Sequence, residues 1–203
     1  MKSSQPYLGV TLDSKLSWAE HVNNTVHSAN KTLGFLRRNL WFCSRDIKTT
    51  AYTALVRPKL EYATSAWDPH KIGQIKKLEG VQRKAARFCT GDYQRESSVT
   101  QMLADLKWEQ LETRRRRNRL VMLYKIQKGK VGINADEYIQ YSRESRTRKT
   151  NQAQIIVPFA KTENYKNSFF VRTPKDWNGL QEHVVKATSV DSFKCALAAA
   201  SQR

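Results

Sequence analysis

The chain has 203 residues, 39% of them hydrophobic and 10% aromatic, enough for one or two domains with a sizeable core and too many rings for wholesale disorder. Its 36 Lys and Arg against 18 Asp and Glu give a formal net charge of +18, with 16 of the cations and 6 of the acids falling between residues 71 and 130. The odd, widely spaced Cys43, Cys89 and Cys195 argue against a secreted disulfide framework and offer no zinc-ligand spacing, and no apolar leader or run of about 18 apolar residues suggests export or a membrane span.

The first element in chain order is Tyr7-Leu8-Gly9-Val10-Thr11-Leu12, a short strand followed by a turn at Asp13-Ser14-Lys15. Ser17, with Glu20 three residues on, suits a capping box opening a helix to about Asn39. Trp18, Val22, Val26, Ala29, Leu33 and Leu36 give that helix one apolar stripe. A second helix starts near Ser44 or Asp46, with Ile47, Ala51, Leu55 and also Tyr52 as its core side, and Pro58 kinks or ends it. A third runs from about Lys71 to Cys89, with Ile72, Ile75, Leu78, Ala85 and Phe88 inward. Lys76, Lys77, Arg83, Lys84 and Arg87 occupy its remaining surface.

A small helix from Val99 to Leu103 and a long one from Trp108 to Lys128 follow, the latter stopped by Gly129 and Gly132. Residues 129–154 read as a basic linker, its polar stretch from Ser142 to Gln154 ordering on a polyanion. Ile155-Ile156-Val157 and Phe169-Phe170-Val171 read as two short strands, and residues 173–201 as helical. The expected architecture is therefore mainly α. A hairpin remnant (1–15) opens a basic helical bundle (16–128), and after the linker comes a small α+β C-terminal segment (155–203).

Chemistry-bearing motifs are few. Metal-dependent polymerisation needs at least two carboxylates around divalent ions, whereas the one adjacent acidic pair, Asp136-Glu137, sits beside the linker and reads as a solvated surface pair. No Gly-rich phosphate loop occurs, and His21 and His27 read as surface or packing residues. Arg114, Arg115, Arg116, Arg117 and Arg119 put five guanidinium groups in six positions, a pattern suited to backbone phosphates. Trp18, Trp67, Trp108 and Trp177 read as core.

Motif order adds more than any single motif. Tyr7-Leu8-Gly9-Val10, Leu12-Asp13, Leu16-Ser17-Trp18 and His21 are followed by Leu55-Val56-Arg57-Pro58-Lys59-Leu60-Glu61-Tyr62-Ala63 and Trp67-Asp68-Pro69. Leu78-Glu79, Gln82, Ala86-Arg87, Leu106, Trp108, Leu111, Arg114-Arg115, Leu120 and Leu123-Tyr124-Lys125 continue the series. It ends with Ser168-Phe169-Phe170-Val171-Arg172-Thr173 and Trp177-Asn178-Gly179-Leu180. The series, over about residues 7–197, resembles the part that follows the catalytic palm in reverse transcriptases of non-LTR, LINE-type, jockey-like retrotransposons.

The resemblance implies that Tyr7, Leu8 and Gly9 correspond to a primer grip, and that the helices after them form a thumb cradling template and primer. The last helices would help bind element RNA or target DNA. The family's paired palm aspartates, its fingers and its endonuclease lie upstream of the hairpin and are absent from this sequence. The expectation is thus a non-catalytic fragment with no catalytic residues and no metal or cofactor of its own, Mg²⁺ being needed only by the full-length enzyme. Its expected partners are RNA or an RNA–DNA hybrid, with target DNA as a further candidate, and the missing palm and fingers. No membrane is expected, and the location is intracellular, in nucleus or cytoplasm. The alternatives are a helical adaptor for an acidic protein, and an active enzyme whose gene model is incomplete.

Overall fold

A computed structural model describes residues 4–142 and 151–200. Its chain divides into two compact units, Met1–Arg114 and Arg115–Arg203. The fold is mainly α, with one two-stranded antiparallel hairpin at the start.

The first unit opens with β1 (Ser4–Tyr7) and β2 (Val10–Asp13), paired so that Tyr7 faces Val10. Leu8 (φ 46°) and Gly9 (φ 80°) form the two-residue loop, and positive φ at both suits the right-handed twist of the strands. Helix α1 (Ala19–Asn39) buries Val22, Ala29, Leu33 and Leu36, the stripe expected from spacing. The capping box does not form. Trp18 occupies the cap position, its ring packed against the core, and the Ser17 hydroxyl accepts from Ala19 N (3.3 Å) instead.

Ser44 caps α2 (Arg45–Leu55) by accepting from Ile47 N. The buried side of α2 is Lys48 and Tyr52, whereas Ile47 and Leu55 are exposed, contrary to the sequence reading. The Tyr52 ring stacks on Trp108 (4.3 Å), its hydroxyl donates to Gln82 Oε1 (3.0 Å), and Gln82 Nε2 donates to Glu109 O (2.8 Å). A large ring with its polar end satisfied outweighs the burial of two aliphatic side chains.

Pro58 falls in the first turn of α3 (Arg57–Glu61), where its missing N–H costs no helical bond. The chain turns after Glu61. Helix α4 (Ile72–Thr90) ends at the left-handed Gly91, and α5 (Val99–Asp105) is capped by Ser98. The core joins Leu33, Leu36, Tyr52, Leu60, Trp67, Leu78 and Phe88, each large apolar side chain contributing about 1.5–3 kcal/mol.

Helix α6 (Leu111–Gln127) has its first residues in the first unit and the rest in the second. The second unit continues with α7 (Ala135–Tyr138), α8 (Glu163–Lys166), α9 (Phe169–Asn178), α10 (Glu182–Val185) and α11 (Val190–Ala200). Leu123, Tyr124, Trp177, Val184, Phe193 and Leu197 form its core, with Phe193 stacked on Tyr124 at 4.4 Å.

Two expected strands are corrected here. Phe169-Phe170-Val171 opens α9, because Val171, Pro174 and Trp177 recur every three residues and all three are buried. Ile155 forms a single bridge with Tyr141 and no strand. Ile156 N donates to Gln140 O (2.7 Å) and Ser142 N to Gln154 O (2.9 Å) across that bridge, while a side chain takes the other edge: Ile155 N donates to Asn178 Oδ1 (2.9 Å) and Asn178 Nδ2 donates to Ile155 O (2.8 Å). The helical stretch expected over 173–201 is built as three helices, broken after Asn178 and after Val185. The basic positions Arg143, Arg146, Arg148 and Lys149 of the expected linker lie outside the described residues.

Candidate nucleic-acid interface

The seam between α1 and α4 gathers cations that no carboxylate neutralises in the hydrogen bonds formed there. Lys77 Nζ donates to Asn23 Oδ1 (2.7 Å), and Lys84 Nζ donates to Asn30 Oδ1 (3.5 Å). Both pairs repeat after seven residues, about 10 Å along the helices. An amide oxygen fixes an ammonium group without cancelling its charge, so these lysines are positioned and still cationic. Lys76 and Arg83 are exposed on the same face of α4.

Acids are kept off this surface. Glu79, the sole acid of α4, accepts from Glu112 N (2.8 Å) at the start of α6. After Glu20 in its first turn, α1 has no acid, and Lys31, Arg37 and Arg38 are exposed along it. On the other side of α1, Lys59 Nζ of α3 donates to the Ser28 hydroxyl (3.4 Å).

Beside this seam a cleft of about 440 Å³ lies between the hairpin, α1 and α3, lined among others by Gly9, His21, Asn24, Lys59 and Tyr62. Thr11 N donates to His21 Nδ1 (3.2 Å), which places the imidazole proton on Nε2, and burial holds His21 below its ordinary range. The Trp67 ring meets His21 edge-on at 4.4 Å. Tyr7 and Leu8 stand exposed at the hairpin tip, and the Tyr62 hydroxyl braces that tip by donating to Leu8 O (3.1 Å).

Gly9 is the residue this arrangement cannot exchange. A Cβ there would sit 3.2 Å from Tyr62 Cε1, on a backbone already at φ 80°. Gly9→Ala is expected to cost about 1–2 kcal/mol, the left-handed penalty of an L side chain. It should also speed hydrogen exchange of the β1 and β2 amides; unchanged exchange and unchanged unfolding would refute the bracing role.

The arginine run behaves differently from the α4 cations. Arg114 makes a two-pronged ion pair with Glu61, its Nε on Oε1 and its Nη2 on Oε2 (3.0 Å), with Glu109 at 3.8 Å. Arg115 is fully buried. Arg116 and Arg119 share Asp176, each at 3.0 Å, and Arg119 Nη1 also donates to the Thr173 hydroxyl (3.4 Å). Arg117 is half-buried. Arg87 donates to the backbone oxygens of Asp92 (3.4 Å), Gln94 (2.8 Å) and Ser97 (3.4 Å), tying down the loop after α4.

Of the sequence-derived cations, Lys76, Lys77, Arg83 and Lys84 are thus exposed together on one face, whereas Arg87, Arg114, Arg116 and Arg119 hold the chain together. Sequence reasoning passed over Lys59, Asn23, Asn30 and the cations of α1. The signal was present: between Glu20 and Asp46 the sequence carries no acid at all.

Other chemistry is sparse. Burial pushes the Cys89 thiol up to about 11, which makes it a poor nucleophile. Among the described residues no group of three or more His, Cys, Asp or Glu side chains is gathered to hold a metal ion. Among them, too, no helix is long and apolar enough to cross a membrane.

Comparison with known proteins gives one partial likeness. Over 91 residues, 42% of this chain, it is 28% identical to the probable RNA-directed DNA polymerase from transposon X-element of Drosophila melanogaster. The match spans 10% of that protein's length. No family model and no solved structure matches. The likeness is weak and partial, and it supports a relation to retrotransposon reverse transcriptases.

Proposed function

From this relation to a retrotransposon RNA-directed DNA polymerase, we propose that the chain is a non-catalytic, nucleic-acid-gripping part of such an enzyme, binding RNA or an RNA–DNA hybrid along the α1–α4 seam. The observation that carries the reading is the contrast between the two sets of cations. Lys77 and Lys84 are held by neutral amides, whereas Arg114, Arg116 and Arg119 are already paired with carboxylates. Only the first set keeps its charge for a phosphate backbone, whose neutralisation releases condensed counterions. Contacts of this kind position a duplex and carry no sequence information.

In this reading the exposed Tyr7 and Leu8 of the hairpin, with Gly9 at its turn, lie against the primer strand. Polymer synthesis and its Mg²⁺ belong to the palm of the full-length enzyme. Hybrid affinity should then fall about a hundredfold between 50 and 200 mM salt, as roughly four phosphate contacts require. Changing Lys76, Lys77, Arg83 and Lys84 together to Ala should flatten the salt slope by about three to four. Salt-independent affinity, or a variant that binds like the parent, overturns the interface. Primer extension by the isolated chain in Mg²⁺ overturns the non-catalytic assignment.

A further inference from the structure

The α1 face does not stop at the lysine pairs. Asn23, Asn30 and Arg37 follow one another at seven-residue intervals, one line about 20 Å long on a helix. The first two hold Lys77 and Lys84, and the third places its guanidinium 5.4 Å from the centre of the Tyr93 ring. Tyr93 stacks on Trp41 with centroids 5.8 Å apart and planes at 24°. Lys48 Nζ lies 5.9 Å from the Trp41 ring centre.

Trp41 is 48% exposed, Tyr93 41%, and Phe42, between Trp41 and Cys43, is 99% exposed. The stacked Trp41 and Tyr93 rings thus leave faces in water, and Phe42, next to Trp41 in the chain, extends the exposed aromatic surface. The backbone that carries them is tied to the fold. Arg87 ties the loop that carries Tyr93 through three backbone oxygens, and Trp41 and Phe42 form the short turn between α1 and the Ser44 cap of α2.

The surrounding charge selects the occupant. Residues 37 to 48 carry three exposed cations, Arg37, Arg38 and Arg45, against Asp46 alone, and a fourth, Lys48, buried beside the Trp41 ring. Rings interleaved with cations suit unpaired nucleobases, whose faces stack on aromatic side chains while their phosphates meet the positive groups.

We infer that Trp41, Phe42 and Tyr93 form a stacking platform for the single-stranded continuation of the nucleic acid whose backbone follows the α1–α4 seam. The inference rests on the nucleic-acid reading above and names which part of the ligand each region takes. The duplex lies on the lysines, and the unpaired bases lie at the far end of α1.

Three probes test it on the full chain: a blunt RNA–DNA hybrid, the same hybrid with a short single-stranded overhang, and the same overhang built of abasic sugars. The natural overhang should bind at least about fivefold tighter than the blunt hybrid, the low end of stacking one base. The abasic overhang, which keeps the phosphates and lacks the bases, should show none of that gain. Phe42→Ala leaves no cavity, because the ring is in water, and with Trp41→Ala it should abolish the gain while blunt-hybrid affinity stays at the parent value.

The platform is overturned if the abasic overhang binds as well as the natural one, or if the gain survives both substitutions. Concentration-dependent dimerisation that Phe42→Ala abolishes, with no gain from the overhang, assigns the rings to a second copy of the chain instead. Loss of blunt-hybrid binding alone refutes the lysine seam, and a single strand tested without its duplex still reports on the platform.

Discussion

Asp176→Ala should lower the unfolding free energy by about 3–5 kcal/mol, the cost of leaving a buried charge without its counter-ion. Arg119 is 3% exposed, and its Nη2 lies 3.0 Å from Asp176 Oδ2. Arg116 Nε donates to the other oxygen of the same carboxylate at 3.0 Å. Water cannot replace the carboxylate at so buried a guanidinium, so most of the desolvation cost of Arg119 becomes unbalanced. Arg116 is half-exposed, and Arg116→Ala should cost less than about 1 kcal/mol. Denaturant unfolding of both variants distinguishes the two roles. Adding Arg119→Met to Asp176→Ala should recover part of the loss, because an apolar side chain carries no charge to strand. Equal stability of Asp176→Ala and the parent would mean that Arg119 is solvated in solution.

Trp67→Ala should be as damaging, about 3–5 kcal/mol, through the cavity left by a nearly buried indole. The effect should reach the candidate site. Trp67 Nε1 donates to Tyr62 O at 2.7 Å, the Trp67 ring packs edge-on against His21, and Tyr62 in turn braces the hairpin through Leu8 O. The variant should therefore show faster hydrogen exchange in β1 and β2 as well as a lower unfolding midpoint. Trp67→Phe keeps a ring and loses only the N–H, so it should lose about 1–3 kcal/mol. If Trp67→Ala destabilises the chain and leaves the hairpin amides as protected as before, the packing link between core and hairpin tip is wrong.

The helical periodicity was legible where side chains were simply apolar. The stripe of α1 and the inward residues Leu78, Ala85 and Phe88 of α4 came directly from spacing, as did Pro58 at a helix boundary. It failed where a polar group decided the face. Tyr52 displaced Ile47 and Leu55 from the core because Gln82 and Trp108 were there to receive it. The strand expected at Ile155 shrinks to one bridge whose other edge is taken by the Asn178 amide, and no local pattern announces that a side-chain amide will pair like a backbone. The candidate site was legible by half. Lys76, Lys77, Arg83 and Lys84 were visible as one face of a helix, but their amide partners Asn23 and Asn30 lie 54 residues away in sequence.

By itself the sequence determined a mainly helical chain and an excess of positive charge concentrated in its middle, which depend on local spacing and on counting. The strand expected over Tyr7 to Leu12 is instead split by a turn at Leu8 and Gly9. Only the tertiary structure decided which of those charges remain available. A guanidinium beside Asp176 or Glu61 and an ammonium beside an Asn are identical in a composition, yet the first is neutralised by its neighbour and the second keeps its full field. That difference is set by partners brought together across 53 to 60 residues of chain, through packing that no local pattern encodes.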